Sequence, residues 1–327
     1  MSEETIDELV RFINGHKNVR TIGITWYGGE PLMAFTTIKK IIDRINSDCN
    51  AKLVSQDIVT NGYNFDKNVI DFFKSQHLKR IQITIDGPED VHNKTRVLCT
   101  GKGTYKRIIN NLQAIIDGLP DTRLVIRVNV GKDNKDSYPV LCDELQERFS
   151  NKISVYPGFI RIYDENQTHL ICDSMEHKDI VSFYDYLEED GNFDINYYPS
   201  LCKSRGCVAT CSTAYVIGPM GELYKCWNDM GNEEMVVGNI ADKELSRPDL
   251  YNRYMIDGTW TSDDNCRQCF FLPICSGGCA WQRLRNRFHG GGFNFCSIFK
   301  EGHIEKYLKT YYKKVNDFNI SDKAETL

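Results

Sequence analysis

Apolar residues recur at helical spacing at Ile6, Leu9, Val10 and Ile13, with Ser2 as a cap and Glu3 and Glu4 in the first turn, which predicts an opening helix. Thr21–Trp26 then reads as a buried strand, and Ile38, Ile41, Ile42 and Ile45 as the stripe of a second helix. The alternation continues with a strand near Leu53–Val59, helix Asp66–Ser75, strand Arg80–Ile85 and helix Thr104–Asp117. Strand Leu124–Val130, helix Ser137–Phe149, strand Ile153–Ile162 and helix His177–Glu188 complete it. Such alternation implies an α/β fold, a parallel sheet with helices outside it. Periodicity alone does not separate an open doubly wound sheet from a full or partial barrel. Gly28–Gly29, Asn61–Gly62 and Asp86–Gly87–Pro88 each follow a strand, at the carboxyl ends where both architectures place ligands. Taken singly, each is also an ordinary turn.

Around Pro199 the alternation stops and a cysteine-rich stretch begins. The expected organisation is a first domain over 1–195, a second over 196–300, and a C-terminal helix and tail over 301–327. The last helix carries Ile304, Tyr307, Leu308 and Tyr311 on one side. A length of 327 residues suits two domains. With 41% apolar and 26% charged residues a packed core is available, so wholesale disorder is excluded. The 40 basic and 45 acidic side chains form no long run of either sign, which argues against nucleic acid and anionic lipid as partners. No stretch approaches the roughly 18 apolar residues of a membrane helix, and Met1–Ser2–Glu3–Glu4 is not a secretory opening. A cytoplasmic location is expected.

Thirteen cysteines change the picture. Cys49, Cys99, Cys142 and Cys172 are scattered and read as ordinary thiols. The rest fall between Cys202 and Cys296, in the order Cys207, Cys211, Cys226, Cys266, Cys269, Cys275 and Cys279. Dense cysteines in a chain of this size point to metal rather than a disulfide framework, and an odd total fits complete pairing poorly. Gly221, Gly277 and Gly278 allow tight backbone turns around such a centre. Four thiolates suit structural zinc and an iron–sulfur cluster equally, so ligand type leaves both open. The seven histidines show no spacing with these cysteines that suggests mixed ligation.

The spacing Cys211-x9-Gly221-x4-Cys226, then Cys266-x2-Cys269-x5-Cys275-x3-Cys279, then Cys296, resembles the SPASM domain, the auxiliary-cluster module of radical S-adenosylmethionine enzymes. By that resemblance Cys207, Cys211, Cys226 and Cys279 would hold one auxiliary [4Fe–4S] cluster, with Cys202 able to replace Cys207. Cys266, Cys269, Cys275 and Cys296 would hold the second. Trp26-Tyr27-Gly28-Gly29-Glu30-Pro31, between a strand and a helix, is similar to the family's GGEP motif. Gly28, Gly29, Glu30 and Pro31 would then hold the amino group of the cofactor's methionine. Thr84, in a segment with Asp86, Gly87, Pro88, His92 and Arg96, would stand near the methionine carboxylate. Arg127 and Asn129 would reach the ribose or carboxylate; the plain alternative is a pair of satisfied polar residues at the barrel mouth.

The resemblance implies a partial (β/α)6 radical SAM barrel missing its first strand, followed by a SPASM domain with two auxiliary cluster sites. The family's Cys-x3-Cys-x2-Cys, which binds the cofactor-cleaving cluster, does not occur in the chain. It is expected upstream of Met1 together with that strand, so S-adenosylmethionine and a third [4Fe–4S] cluster belong to a longer chain, and this fragment is expected to be inactive. The implied activity is that of a peptide or protein maturase. It would install a crosslink or oxidative side-chain modification on a ribosomally made peptide, with an electron donor such as ferredoxin or flavodoxin. Formylglycine formation, as in anaerobic sulfatase maturases, is the alternative. Those enzymes carry Asp directly after the cysteine matching Cys226, where this chain has Trp227, with Asp229 out of register. A non-catalytic iron–sulfur or electron-transfer protein and a zinc-stabilised scaffold are the further alternatives. No catalytic acid or base is assigned.

Overall fold

In the computed structural model residues 1–162, 173–189, 207–302 and 304–324 are described. Ile6–Met175 forms one compact unit; Glu176–Leu327, with Met1–Thr5, forms another. The boundary expected at 195/196 lies outside the described residues, as do Cys172 and Cys202.

The first unit follows the alternating pattern. Helix α1 (Glu3–Gly15) is capped by Ser2, whose Oγ accepts from the Thr5 N–H at 3.2 Å. Strands β1 (Thr21–Trp26), β2 (Lys52–Thr60), β3 (Leu78–Thr84), β4 (Arg123–Val130) and β5 (Ile153–Phe159) form one parallel sheet in that order. Between them run α2 (Phe35–Asp48), α3 (Lys67–Phe73), α4 (Glu89–Thr95), α5 (Tyr105–Gly118) and α6 (Tyr138–Phe149). A doubly wound sheet reverses its strand order at a switch point, and this one does not. With right-handed crossovers an unreversed order keeps every helix on one face, which makes the sheet a barrel segment.

The two faces differ as a barrel requires. Ile58, Ile81, Ile83, Ile126 and Val128 share one face and are at most 1% exposed. Burying each stabilises the fold by roughly 1.5–3 kcal/mol. The stripe Ile38, Ile41, Ile42 and Ile45 of α2 is buried as its spacing predicts. The opposite face of the sheet carries Asp57, Arg80, Thr84, Arg127, Asn129 and Tyr156, all half-buried. Pro157 lies on β5, which is the edge strand of this sheet among the described residues, where a missing N–H is tolerated. Three details depart from expectation. Helix α4 has no anticipated counterpart, β5 ends at Phe159 rather than Ile162, and α3 ends at Phe73 rather than Ser75, while Asp66 caps its start through Asn68 N and Val69 N.

In the second unit α7 (His177–Glu189) precedes a small antiparallel sheet of β6 (Val216–Ile217), β7 (Glu222–Tyr224) and β8 (Gly238–Asn239). Short helices follow: α8 (Pro248–Asn252), α9 (Asp264–Arg267), α10 (Leu272–Cys275) and α11 (Ala280–Phe288). In the last helix, α12 (Ile304–Ala324), Tyr307 is buried and its hydroxyl meets Asp185 Oδ1 at 3.1 Å, while Leu308 and Tyr311 stay exposed. Its apolar stripe is therefore only partly covered. Among the described residues no helix is long and apolar enough to cross a membrane.

Candidate functional site

Polar groups gather at the carboxyl ends of the parallel strands. After β1 the chain turns through Gly28 and Gly29, and a Cβ at either would meet nothing within 4 Å, so this backbone is open to a ligand. Glu30 then caps a single turn, Pro31–Ala34. Its Oε1 accepts from Leu32 N at 3.0 Å and from the Thr60 hydroxyl at 2.7 Å, and its Oε2 from Asn61 N at 2.7 Å. Glu30 thus ties the end of β1 to the end of β2, and Oε2 keeps room for a second donor.

The ends of β3 and β4 are joined by Asn134, whose Nδ2 donates to Asp86 O and Asn129 O, both at 2.8 Å. Asp86 ion-pairs with Arg96 at 2.5 Å. His92 accepts from Asp86 N through Nδ1, so its Nε2 carries the proton and donates to the Thr104 hydroxyl at 2.9 Å. Burial pushes His92 down to about 4, so it is a neutral structural link. Thr84, Arg127 and Asn129 differ from it, since their side chains find no hydrogen-bond partner among the described residues. The Nε of Arg127 is buried without a partner. Its guanidinium lies over Gly158 of β5, where a Cβ would stand 2.2 Å from that Nε. A buried orphan donor beside an open strand end is suited to an anionic or hydroxyl-rich ligand.

The cysteine-rich unit groups its thiols in two. Cys266, Cys269, Cys275 and Cys296 line one cavity of about 440 Å³ with Asp263, Phe271 and Lys300. Cys296 is raised by burial, opposed by Lys300 and reinforced by the charges of Cys266, Cys275 and Cys269. Cys226 is buried and pushed up to about 12, first by burial and also by the charges of Cys279 and Cys207. Cys211 is lowered, chiefly by a hydrogen bond with Thr213. Among the described residues no three His, Cys, Asp or Glu side chains converge closely enough to hold a metal ion, so the thiols are neighbours without being preassembled ligands. An all-sulfur donor set fits an iron–sulfur cluster or zinc.

Glycines make the grouping possible. Gly278 (φ +73°) passes so close to Phe295 that a Cβ would stand 1.9 Å from that carbonyl oxygen, which draws the Cys279 and Cys296 segments together. Gly277 and Gly221 are likewise left-handed, with φ +86° and +87°. Asp263 caps α9 through Asn265 N and Cys266 N. Two cations beside the thiols escape sequence reasoning because long charged side chains are expected on the surface. Lys225, fully buried, donates to Cys211 O at 2.7 Å and Ala214 O at 2.5 Å; burial pushes it down to about 8 against the pull of Cys211 and Cys207. Arg283, 4% exposed, donates to Cys266 Sγ at 3.2 Å and to Gly277 O at 2.6 Å. Asp229 is fully buried, raised by burial, and bonded by the Tyr254 hydroxyl and by Trp281 Nε1 at 2.9 Å.

Comparisons with known proteins agree with this architecture. Residues 1–145 match the Radical SAM superfamily. The "Cysteine-type anaerobic sulfatase-maturating enzyme" of Clostridium novyi (strain NT) is 25% identical over 308 residues, covering 87% of this chain and 80% of the relative. The "Radical SAM cyclopropyl synthase TigE" of Paramaledivibacter caminithermalis is 22% identical over 293 residues, covering 85% and 57%. Among solved structures, "Native anSMEcpe with bound AdoMet" superposes with a TM-score of 0.68 at 18% identity, covering 100% of this chain and 91% of that one. The same protein with AdoMet and the Cp18Cys peptide gives 0.67. The chain therefore carries a radical SAM match over residues 1–145, on a parallel barrel segment like that of the anaerobic sulfatase-maturating structures, and is similar along most of its length to anaerobic sulfatase-maturating enzymes.

Proposed function

We propose that this enzyme modifies a peptide or protein substrate, installing a crosslink or an oxidative side-chain change on a ribosomally made peptide. The observation that carries the reading is the lining of one cavity by Cys266, Cys269, Cys275 and Cys296, beside a second group, Cys207, Cys211, Cys226 and Cys279. Each group would hold one auxiliary [4Fe–4S] cluster, within a module spanning 196–300 that follows a radical SAM half spanning 1–195. Gly28, Gly29, Glu30 and Pro31, with Thr84, Arg127 and Asn129, would seat S-adenosylmethionine. When bound, the cofactor with its own cluster would supply one-electron hydrogen abstraction, and the thiol groups would hold centres able to take up an electron. The chain's own residues bind and orient: Glu30 fixes two strand ends, and Arg127 offers its free donor to the ligand. A cytoplasmic setting with a small electron carrier follows from this chemistry.

Formylglycine formation is the second reading, favoured by the sulfatase-maturating relatives. Against it, Trp227 follows Cys226, and Asp229 is committed to Tyr254 and Trp281. The test is anaerobic incubation of the chain, extended by a segment carrying Cys-x3-Cys-x2-Cys, with S-adenosylmethionine, reductant and a panel of ribosomally made peptides. Loss of hydrogen with sulfur retained, matched by 5′-deoxyadenosine, is expected. Gain of an aldehyde, with loss of sulfur from a cysteine or of two hydrogens from a serine, favours the second reading. A peptide recovered unchanged from a preparation releasing 5′-deoxyadenosine contradicts both.

A further inference from the structure

We propose that each thiol group carries its own buried counter-charge, Lys225 for Cys207, Cys211, Cys226 and Cys279, and Arg283 for Cys266, Cys269, Cys275 and Cys296, and that these cations set the reduction potentials of the two centres. The inference rests on the cluster reading above. Lysine and arginine are almost never fully buried unless paired, yet Lys225 is 0% exposed. Its ammonium is cradled by two carbonyls and stands over the rings of Tyr215 (4.6 Å) and Tyr251 (5.2 Å). These groups orient the charge without cancelling it. Among the described residues no carboxylate reaches Lys225 within ion-pair distance, and its ammonium is held on the Cys211 carbonyl, with Cys226 the next residue along the chain. A lysine at this place makes physical sense when the neighbouring centre is itself an anion.

Arg283 meets its group directly. One N–H points at Cys266 Sγ at 3.2 Å, another holds Gly277 O, and NH1 pairs with Asp263. The guanidinium lies over the Phe295 ring at 4.4 Å, one residue before Cys296. Asp263 offsets part of its charge but is far less buried, with side chains 5% exposed for Arg283 and 22% for Asp263. A four-thiolate iron–sulfur centre is anionic and gains one further negative charge when it accepts one electron. A fixed cation in a low-dielectric interior therefore favours the reduced form, and a hydrogen bond to a ligating sulfur acts in the same direction. Each cation raises the potential of its own centre, so the chain can set the two independently. Both residues are positioning residues, acting through the proposed centres rather than on the substrate.

The test is a dithionite titration, followed by electron paramagnetic resonance, of the anaerobically reconstituted 327-residue chain. Lys225→Met and Arg283→Met are compared with the unaltered chain, and Lys225→Met again in Cys269→Ala/Cys275→Ala, where only the first centre remains. Lys225→Met is expected to make reduction of that surviving centre at least tenfold less favourable, a fall of about 59 mV for one electron. Arg283→Met is expected to lower only the other centre. Retained iron and sulfide with both potentials unmoved overturns the proposal. If a Met variant loses its own centre, Lys225→Arg and Arg283→Lys decide. Retention of the centre and its potential supports the counter-charge role; loss despite the kept charge assigns a packing role and overturns it. An unaltered chain that takes up zinc and no iron overturns the cluster reading itself.

Discussion

Gly278→Ala should disturb both thiol groups through one methyl. The residue sits at φ +73°, and its Cβ would lie 1.9 Å from the Phe295 carbonyl oxygen, against a floor of 3.0 Å for real Cβ contacts. The backbones must separate by about 3.0 − 1.9 = 1.1 Å, and neither partner is a flexible side-chain end. The left-handed conformation costs an alanine roughly 1–2 kcal/mol. Forcing the crossing apart costs about 1–3 kcal/mol more, by analogy with overpacked cores. The sum, about 2–5 kcal/mol, corresponds to a melting temperature roughly 4–20 °C lower. Cys279 follows Gly278 and Cys296 follows Phe295, so the shift moves one proposed ligand of each centre. The assay pairs iron and sulfide per chain after anaerobic reconstitution with thermal unfolding. Gly292→Ala is the control, because nothing lies within 4 Å of its Cβ and its φ is not left-handed, so it should fall within about 0.5 kcal/mol of the unaltered chain. Full iron content in Gly278→Ala, with melting equal to Gly292→Ala, would refute the reasoning.

Other expectations test the scaffold. His92 is pushed down to about 4 by burial from 6.5, so below pH 6.5 the unfolded chain binds the proton more readily. Its contribution is intact above about pH 6.5 and is lost as pH falls toward about 4, amounting at 1.36 kcal/mol per pH unit to about 3 kcal/mol. Urea midpoints against pH should show that slope, and His92→Gln should flatten it; identical slopes would contradict the assignment. Glu30→Gln places an amide N–H₂ against Leu32 N, Thr60 Oγ1 or Asn61 N, all of them donors, and should cost about 1–3 kcal/mol by thermal melting. An unchanged melt would remove Glu30 from the strand-end clamp. Chelation of reconstituted protein should unfold the cysteine-rich unit before Ile6–Met175, because metal-binding free energy in loop-rich segments is largely folding free energy. Hydrogen exchange showing simultaneous loss of both units with iron retained would count against this.

The barrel segment is legible where residues obey one period over a long stretch. The isoleucines of α2 announce a helix, and the run ending in Val130 a strand buried on its helix side. Helix α4 was illegible for the opposite reason, since its seven residues bury only His92 and offer no stripe. Whether the sheet was wound once or twice is a matter of strand order, which periodicity does not encode and the unreversed pairing decides. Between α7 and α12 the described elements are two to nine residues long, too short for any period, so spacing of cysteines and glycines carried the reading. That spacing could not announce Lys225 or Arg283, because their burial depends on rings and carbonyls distant in sequence. Nor could it reveal Asn134, a loop residue whose amide joins two strand ends. Asp263, three residues before Cys266, did carry a readable cap pattern.

Metal analysis of the anaerobically reconstituted chain tests the central claim most directly. The account predicts iron and acid-labile sulfide near eight each per chain, absorbance around 400 nm, and loss of about half of both in Cys269→Ala/Cys275→Ala, with the remaining centre's spectrum intact. Zinc alone, or iron unchanged by that double substitution, would contradict it.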